Sequence, residues 1–216
     1  MPSHPILLGH RGARASAFVC ENTPASFDLA LEHGCDGFEF DVRLTKCGCA
    51  VICHDPEVEG VRVAQAQGHQ LGDVPRLEEV LARYSSRAFL DIELKVFGLE
   101  SQLLLALETH PPQRGYVVSS FLPEVLSGIR LRSRKVTLGL ICERRKQLDR
   151  WRELPVDYVI SHHSLITHDL VKGLSDAGKA LIAWTVNDQS SMLRLAEWGV
   201  NGIISDDTEL LVRAFG

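Results

Sequence analysis

Short apolar runs of strand character alternate with amphipathic stretches along nearly the whole chain. The runs are PILLGH (5–10), GFEFDVRL (37–44), AVICHD (50–55), AFLDIELKV (88–96), GYVVSSF (115–121), VTLGLIC (136–142), VDYVISH (156–162), ALIAWTVN (180–187) and NGIISD (201–206). Helix punctuation fills the gaps. TPASFDLALEHG opens with Thr23 as N-cap and Pro24 at the first helical position, sets Phe27, Ala30 and Leu31 on one face, and stops at Gly34. DQSSMLRLAEWG repeats the plan from Asp188 to Gly199, with Met192, Leu195 and Ala196 on its apolar face.

Strand and helix in alternation predict a mostly parallel sheet. Only TKCGC separates GFEFDVRL from AVICHD, and a parallel crossover requires a dozen residues or more. AVICHD is therefore predicted to run back antiparallel, as a short hairpin excursion after the second strand. Eight strands remain, and the predicted fold is α/β, a (β/α)8 barrel of the TIM type, with residues 1–216 as a single domain. An open doubly wound sheet shares the alternation. It is ranked below the barrel because the chain has no G-x-G-x-x-G or G-x-x-x-x-G-K-[ST] loop.

Several ionisable residues stand where buried strands should be apolar. Side chains alternate faces along a strand, so Phe38, Phe40 and Val42 share one face while Glu39 and Asp41 share the other. LDIELK does the same, with Leu90, Ile92 and Leu94 opposed to Asp91, Glu93 and Lys95. A barrel carries its site at the C-terminal ends of its strands, so the apolar faces turn to the helices and the acids turn to the mouth. Carboxylates gathered there repel one another unless a cation or a proton neutralises them. Oxygen-rich, cysteine-free ligation by Glu39, Asp41 and Glu93 suits Mg²⁺ or Ca²⁺, with Mn²⁺ as a third choice, better than zinc. Asp91, deepest in its strand, reads as a salt-bridge member. Lys95, at the strand exit, reads as a contact for a substrate phosphate, with neutralisation of Glu93 as its structural alternative. His10 and His54 end strands that open onto the same mouth, where two imidazoles can divide general-base and general-acid work.

Composition narrows the partners. The chain of 216 residues carries 23 Lys and Arg against 28 Asp and Glu, and its net charge of −5 offers no basic face for nucleic acid or an anionic membrane. The first residues show no basic start followed by a long apolar segment, and no apolar run approaches a membrane span, so neither a signal peptide nor stable membrane insertion is expected. The six cysteines show no C-x-x-C spacing and read as reduced thiols of a cytoplasmic protein. Oligomeric state leaves no mark on the sequence.

GHRG (9–12), ENTPASF (21–27), FEFDVRLT (38–45), VICHD (51–55), VPRLEEVL (74–81), IELK (92–95), SF (120–121), AWTVN (183–187) and GVNGIISD (199–206) occur in one order. In that order the chain resembles the glycerophosphodiester phosphodiesterase family over nearly its whole length. The resemblance implies a barrel that cleaves small-molecule glycerophosphodiesters, such as glycerophosphocholine or glycerophosphoethanolamine, to glycerol 3-phosphate and an alcohol with a divalent cation. It implies His10 and His54 as the acid–base pair and Glu39, Asp41 and Glu93 as metal ligands, the same five residues the strand pattern selects. It further implies that Arg11 and Lys95 contact the phosphate, that Glu21 orients the site, and that Trp184 and Phe121 contribute an aromatic wall. Glu21 as a helix-start acid and Trp184 as core packing are the structural alternatives. The expected route is attack by the glycerol 2-hydroxyl on phosphorus, one histidine removing its proton and the other protonating the leaving alcohol, to give a cyclic phosphate that water opens.

The chain departs from the family pattern in three places. Cys47 stands in TKCG where the family's hairpin usually has aspartate, the segment after His54 is short and lacks an Arg-Thr-Thr run, and the last strand reads GVNGIISDD. The short segment bears on the leaving group. It leaves open a lysophospholipase D-like activity on acylated substrates, while a non-catalytic barrel fits poorly with five filled site positions.

Overall fold

The computed structural model describes residues 4–216; the first three residues of the expected 1–216 domain lie outside the described residues. In chain order the elements are β1 (Ile6–His10), α1 (Pro24–Glu32), β2 (Gly37–Leu44), β3 (Ala50–Ile52), β4 (Glu57–Val58), β5 (Val61–Arg62), α2 (Leu77–Tyr84), β6 (Phe89–Leu94), α3 (Glu100–Thr109), β7 (Tyr116–Ser120), α4 (Pro123–Arg132), β8 (Leu138–Cys142), α5 (Arg145–Leu148), β9 (Tyr158–His162), α6 (His168–Asp176), β10 (Ala180–Trp184), α7 (Gln189–Trp198), β11 (Gly202–Ser205) and α8 (Thr208–Arg213). Parallel pairing runs β1-β11-β10-β9-β8-β7-β6-β2, and a further β1–β2 pairing closes the ring. Closure rules out the open doubly wound sheet. β3 pairs antiparallel with β2, Arg43 opposite Val51, as the five-residue turn between them requires.

Two apolar layers follow from the alternation of side chains. Outward residues Phe38, Phe40, Leu90 and Ile92 join the inner faces of the helices in the main core, where Phe27 of α1 stacks on Phe38 with ring centroids 4.1 Å apart. Inward residues Leu8, Phe89, Val117, Ile141, Ile160, Ile182 and Ile204 plug the barrel floor. Burial of this kind makes Phe38→Ala worth a loss of about 3–5 kcal/mol. The caps behave as the sequence predicts: Thr23 accepts from Ser26 N at the start of α1, and Asp188 accepts from Ser191 N at the start of α7.

The segment after β3 has more structure than the sequence shows. It folds into the β4–β5 hairpin and two 3₁₀ turns, Val63–Gln65 and Gly68–Leu71, over a small apolar cluster containing Val51, Cys53, Val63, Ala66 and Leu71. β3 stops at Ile52, so His54 stands two residues past the strand rather than at its end, and Cys53 packs into this cluster. Among the described residues, no helix is long and apolar enough to cross a membrane.

Candidate active site

β1 delivers His10 to the mouth and then turns sharply. Arg11 and Gly12 take left-handed φ values of 53° and 82°, and a Cβ on Gly12 would lie 2.6 Å from the Ser26 backbone, so this turn requires glycine. The turn aims the Arg11 amide at Glu39, whose Oε2 accepts from it at 3.0 Å. Asn22, also left-handed, donates from Nδ2 to Asp41 Oδ2 at 2.8 Å and accepts from the Asp41 amide at 3.2 Å. β2 and β6 run in register with Asp41 beside Glu93, one step above Glu39 beside Asp91.

Glu39, Asp41 and Glu93 each bring one oxygen within 4.8 Å of the others, and all three are buried. Lys95 Nζ lies 2.7 Å from Glu93 Oε1 and 3.1 Å from Asp41 Oδ1, and Arg11 Nε lies 3.2 Å from Asp41 Oδ2. Two cations thus face four buried carboxyls, Asp91 included. Burial, and then Asp41 and Glu93 beside it, push Glu39 well above the usual carboxylate range. Burial likewise raises Glu93 to about 7 against the pull of Lys95. Burial acts to raise Asp41 too, but Lys95, Arg11 and the Asn22 hydrogen bond outweigh it and hold this group low. Glu39 Oε1 is buried without a hydrogen-bond partner, and Asp41 Oδ1 has only the Lys95 ammonium beside it. An orphaned Glu39 oxygen, carboxyls in excess of cations and an all-oxygen donor set fit a hard divalent cation.

His10 and His54 lie on the same cavity of about 270 Å³, together with Arg11, Glu39, Glu93, Lys95, Phe121 and Trp184. His10 Nε2 is 3.8 Å from Glu39 Oε2, and its Nδ1 is 2.7 Å from Asp206 Oδ1. His54 Nδ1 meets Asp55 Oδ1 at 2.7 Å, yet burial lowers the imidazole below its ordinary pKa. Phe121 and Trp184 meet edge to face with centroids 5.6 Å apart, and Trp184 Nε1 donates to Ile160 O at 3.1 Å.

One expectation changes. Asp91 is in no ion pair among the described residues; Ser119 Oγ donates to its Oδ1 at 2.5 Å, and burial pushes its pKa to about 8, so it is a neutral acid rather than a salt-bridge member. Glu21 stands outside the cavity lining, where its carboxylate holds Arg11 Nη1 at 2.8 Å and Arg14 Nε at 2.7 Å. The sequence reading missed Asn22, His162, Asp206 and the lining residue Glu143. Asn22 lies in ENT, and the other three sit at or just beyond strand C-termini, the position that drew His10 and His54 to notice. His162 packs edge-on against Trp184 with centroids 5.5 Å apart.

Residues 10–90 and 63–210 match the sequence model described as the Glycerophosphoryl diester phosphodiesterase family. The chain belongs to this family. A glycerophosphodiester phosphodiesterase of Caldanaerobacter subterraneus subsp. tengcongensis is 30% identical over 96% of both chains. One of Bacillus subtilis is 26% identical over 97% of this chain and 86% of its own. Among solved structures, an Oleispira antarctica phosphodiesterase in complex with the product sn-glycerol-3-phosphate superposes with a TM-score of 0.85 at 25% identity, covering 98% of this chain and 96% of the other. A Thermotoga maritima glycerophosphodiester phosphodiesterase gives 0.83 at 25% identity over 97% and 98%. Membership makes this barrel an enzyme that acts on glycerophosphodiesters.

Proposed function

We propose that the chain hydrolyses water-soluble glycerophosphodiesters, glycerophosphocholine and glycerophosphoethanolamine among them, to glycerol 3-phosphate and an alcohol. The observation that carries this reading is the buried cluster of Glu39, Asp41 and Glu93 against one small cavity that Glu39, Glu93, His10 and His54 line. Glu39, Asp41 and Glu93 would hold Mg²⁺, Ca²⁺ or Mn²⁺, which when bound supplies charge neutralisation for the phosphoryl oxygens and a lowered pKa for an attacking hydroxyl. Arg11 and Lys95 present their cationic heads to the cavity, where they bind the phosphate; Glu21 holds the Arg11 fork in place. His10 and His54 move the protons: one takes the hydrogen of the glycerol 2-hydroxyl as its oxygen attacks phosphorus, and the other gives a proton to the departing alcohol. Phe121 and Trp184 shield the carbon side of the substrate from water. Water then opens the five-membered cyclic phosphate with the two histidines in exchanged roles.

An internal hydroxyl held against phosphorus carries an effective concentration of up to about 10⁵ M or more. A glycerophosphocholine analogue lacking the 2-hydroxyl should therefore bind and hardly turn over, and the cyclic phosphate should be visible by phosphorus NMR with the natural diester. Equal turnover of the two diesters removes the cyclisation step. Lysophosphatidylcholine assayed beside them tests the substrate class, and preference for it would replace the water-soluble diesters with acylated ones.

A further inference from the structure

Two thiols away from the cavity face one another across the turn between β2 and β3. Cys47 Sγ and Cys49 Sγ are 3.4 Å apart on either side of Gly48, whose φ of 80° lets the chain double back. Cys47 is exposed and Cys49 is half-buried. The Gly68 amide donates to Cys47 Sγ at 3.3 Å, and Thr45 Oγ1 lies 3.2 Å from the same sulfur. Contacts of this kind favour a thiolate, and those of Thr45, Gly68 and Cys49 lower the Cys47 thiol to about 7. Three other cysteines are the opposite case: burial pushes Cys35 and Cys142 up to about 12 and Cys53 up to about 11. Cys20 is exposed, with no second thiol beside it among the described residues.

We infer that Cys47 and Cys49 form an oxidisable dithiol, a covalent modification site at which hydrogen peroxide converts the pair into an intramolecular disulfide. The Cys47 thiolate attacks one peroxide oxygen, the O–O bond breaks, and the hydroxide released takes a proton to become water, leaving a sulfenic acid on Cys47. Cys49 sulfur then attacks Cys47 sulfur; the S–O bond breaks and the departing hydroxide leaves as water with the Cys49 proton. Two thiols lose two electrons, and one peroxide becomes two waters. The sulfurs must close from 3.4 Å to a bond of about 2.05 Å, a movement contained within one turn hinged on glycine. The disulfide carries no thiolate charge, so the tie from Gly68 to Cys47 weakens on oxidation. That tie pins a hairpin whose paired residues begin just after Asp41 and end two residues before His54.

The test uses the full chain, fully reduced, in a Cys20→Ser background that removes the competing exposed thiol. After treatment with hydrogen peroxide, thiol titration should fall by two groups, intact mass should fall by two hydrogens with no oxygen added, and fragmentation should map the link to Cys47 and Cys49. A dithiol reductant should reverse all three changes. With Cys49→Ser added, the reaction should stop at a sulfenic acid on Cys47, captured by a cyclic diketone reagent. Retention of both thiols while peroxide is consumed elsewhere, direct conversion of Cys47 to sulfinic acid with Cys49 present, or a disulfide mapped to Cys53 overturns the inference.

Discussion

His10 and Asp206 meet through a 2.7 Å contact between Nδ1 and Oδ1, at the seam where β1 and β11 pair in the closed barrel. Burial acts to raise Asp206, but its hydrogen bonds with His10, Asn187 and Arg14 outweigh it and hold this carboxyl far below the usual range. An ionised carboxylate only accepts, so Nδ1 carries the hydrogen and Nε2 is left facing the cavity beside Glu39. Closure of the barrel therefore sets the tautomer of a proposed acid–base residue.

Asp206→Ala removes that constraint without touching the cavity lining. Turnover should fall about 10- to 100-fold, the scale on which partners that orient a histidine act, with KM changed little. Steady-state kinetics on glycerophosphocholine checks this. Wild-type kcat in the variant would mean that His10 is oriented by something else or does not act.

Asp91 gives a prediction about stability in the metal-free protein. Its pKa rises from 3.8 unfolded to about 8 folded, so between those values folding takes up a proton and stability falls as pH rises; above about 8 the full cost of a buried charge is present. Asp91→Asn keeps the shape and an acceptor for Ser119 while removing the charge. In chelator, thermal melts should show the variant clearly more stable than the parent at about pH 9, with an advantage that shrinks steadily toward about pH 5. A variant less stable than the parent at both pH values would show that the ionised carboxylate is favourable where it stands.

Burial holds His54 below the ordinary histidine value of 6.5, so it is neutral at neutral pH. A neutral imidazole suits the general base; with His54 in that role, the acidic limb of kcat/KM, which reports the free enzyme, should lie below pH 6.5 and vanish in His54→Gln, together with about 10²-fold or more of the rate. A limb at or above that ordinary value, or one that persists in the variant, would remove His54 from the role of base.

Local rules carried much of this site. The five residues of TKCGC were too few for a parallel crossover, which alone identified β3 as the antiparallel excursion. Period-two alternation placed Glu39, Asp41 and Glu93 on one wall because Phe38, Phe40, Leu90 and Ile92 each had a helix to face. The resemblance to the family then supplied Arg11, Glu21, Phe121 and Trp184. What stayed hidden depends on pairings between distant segments: Asn22 clasping Asp41, Asp206 on His10, and Glu21 bridging Arg11 and Arg14. Asp91 was misread for a related reason. A strand pattern shows that an acid points inward, but whether it meets a cation or a hydroxyl depends on the neighbouring strand, where Ser119 stands.

Glu39, Asp41 and Glu93 are proposed to hold one catalytic divalent cation. The direct measurement is calorimetric titration of the chelated protein with Mg²⁺, Mn²⁺ and Ca²⁺, paired with turnover of glycerophosphocholine in the same samples, for the wild type and for Glu39→Gln. The wild type should bind one ion per chain and regain activity in step with occupancy. The Glu39→Gln variant should lose about 10-fold or more in affinity and most of its turnover while melting as a folded protein. Full activity in the metal-free wild type, or undiminished cation binding by the variant, would contradict it.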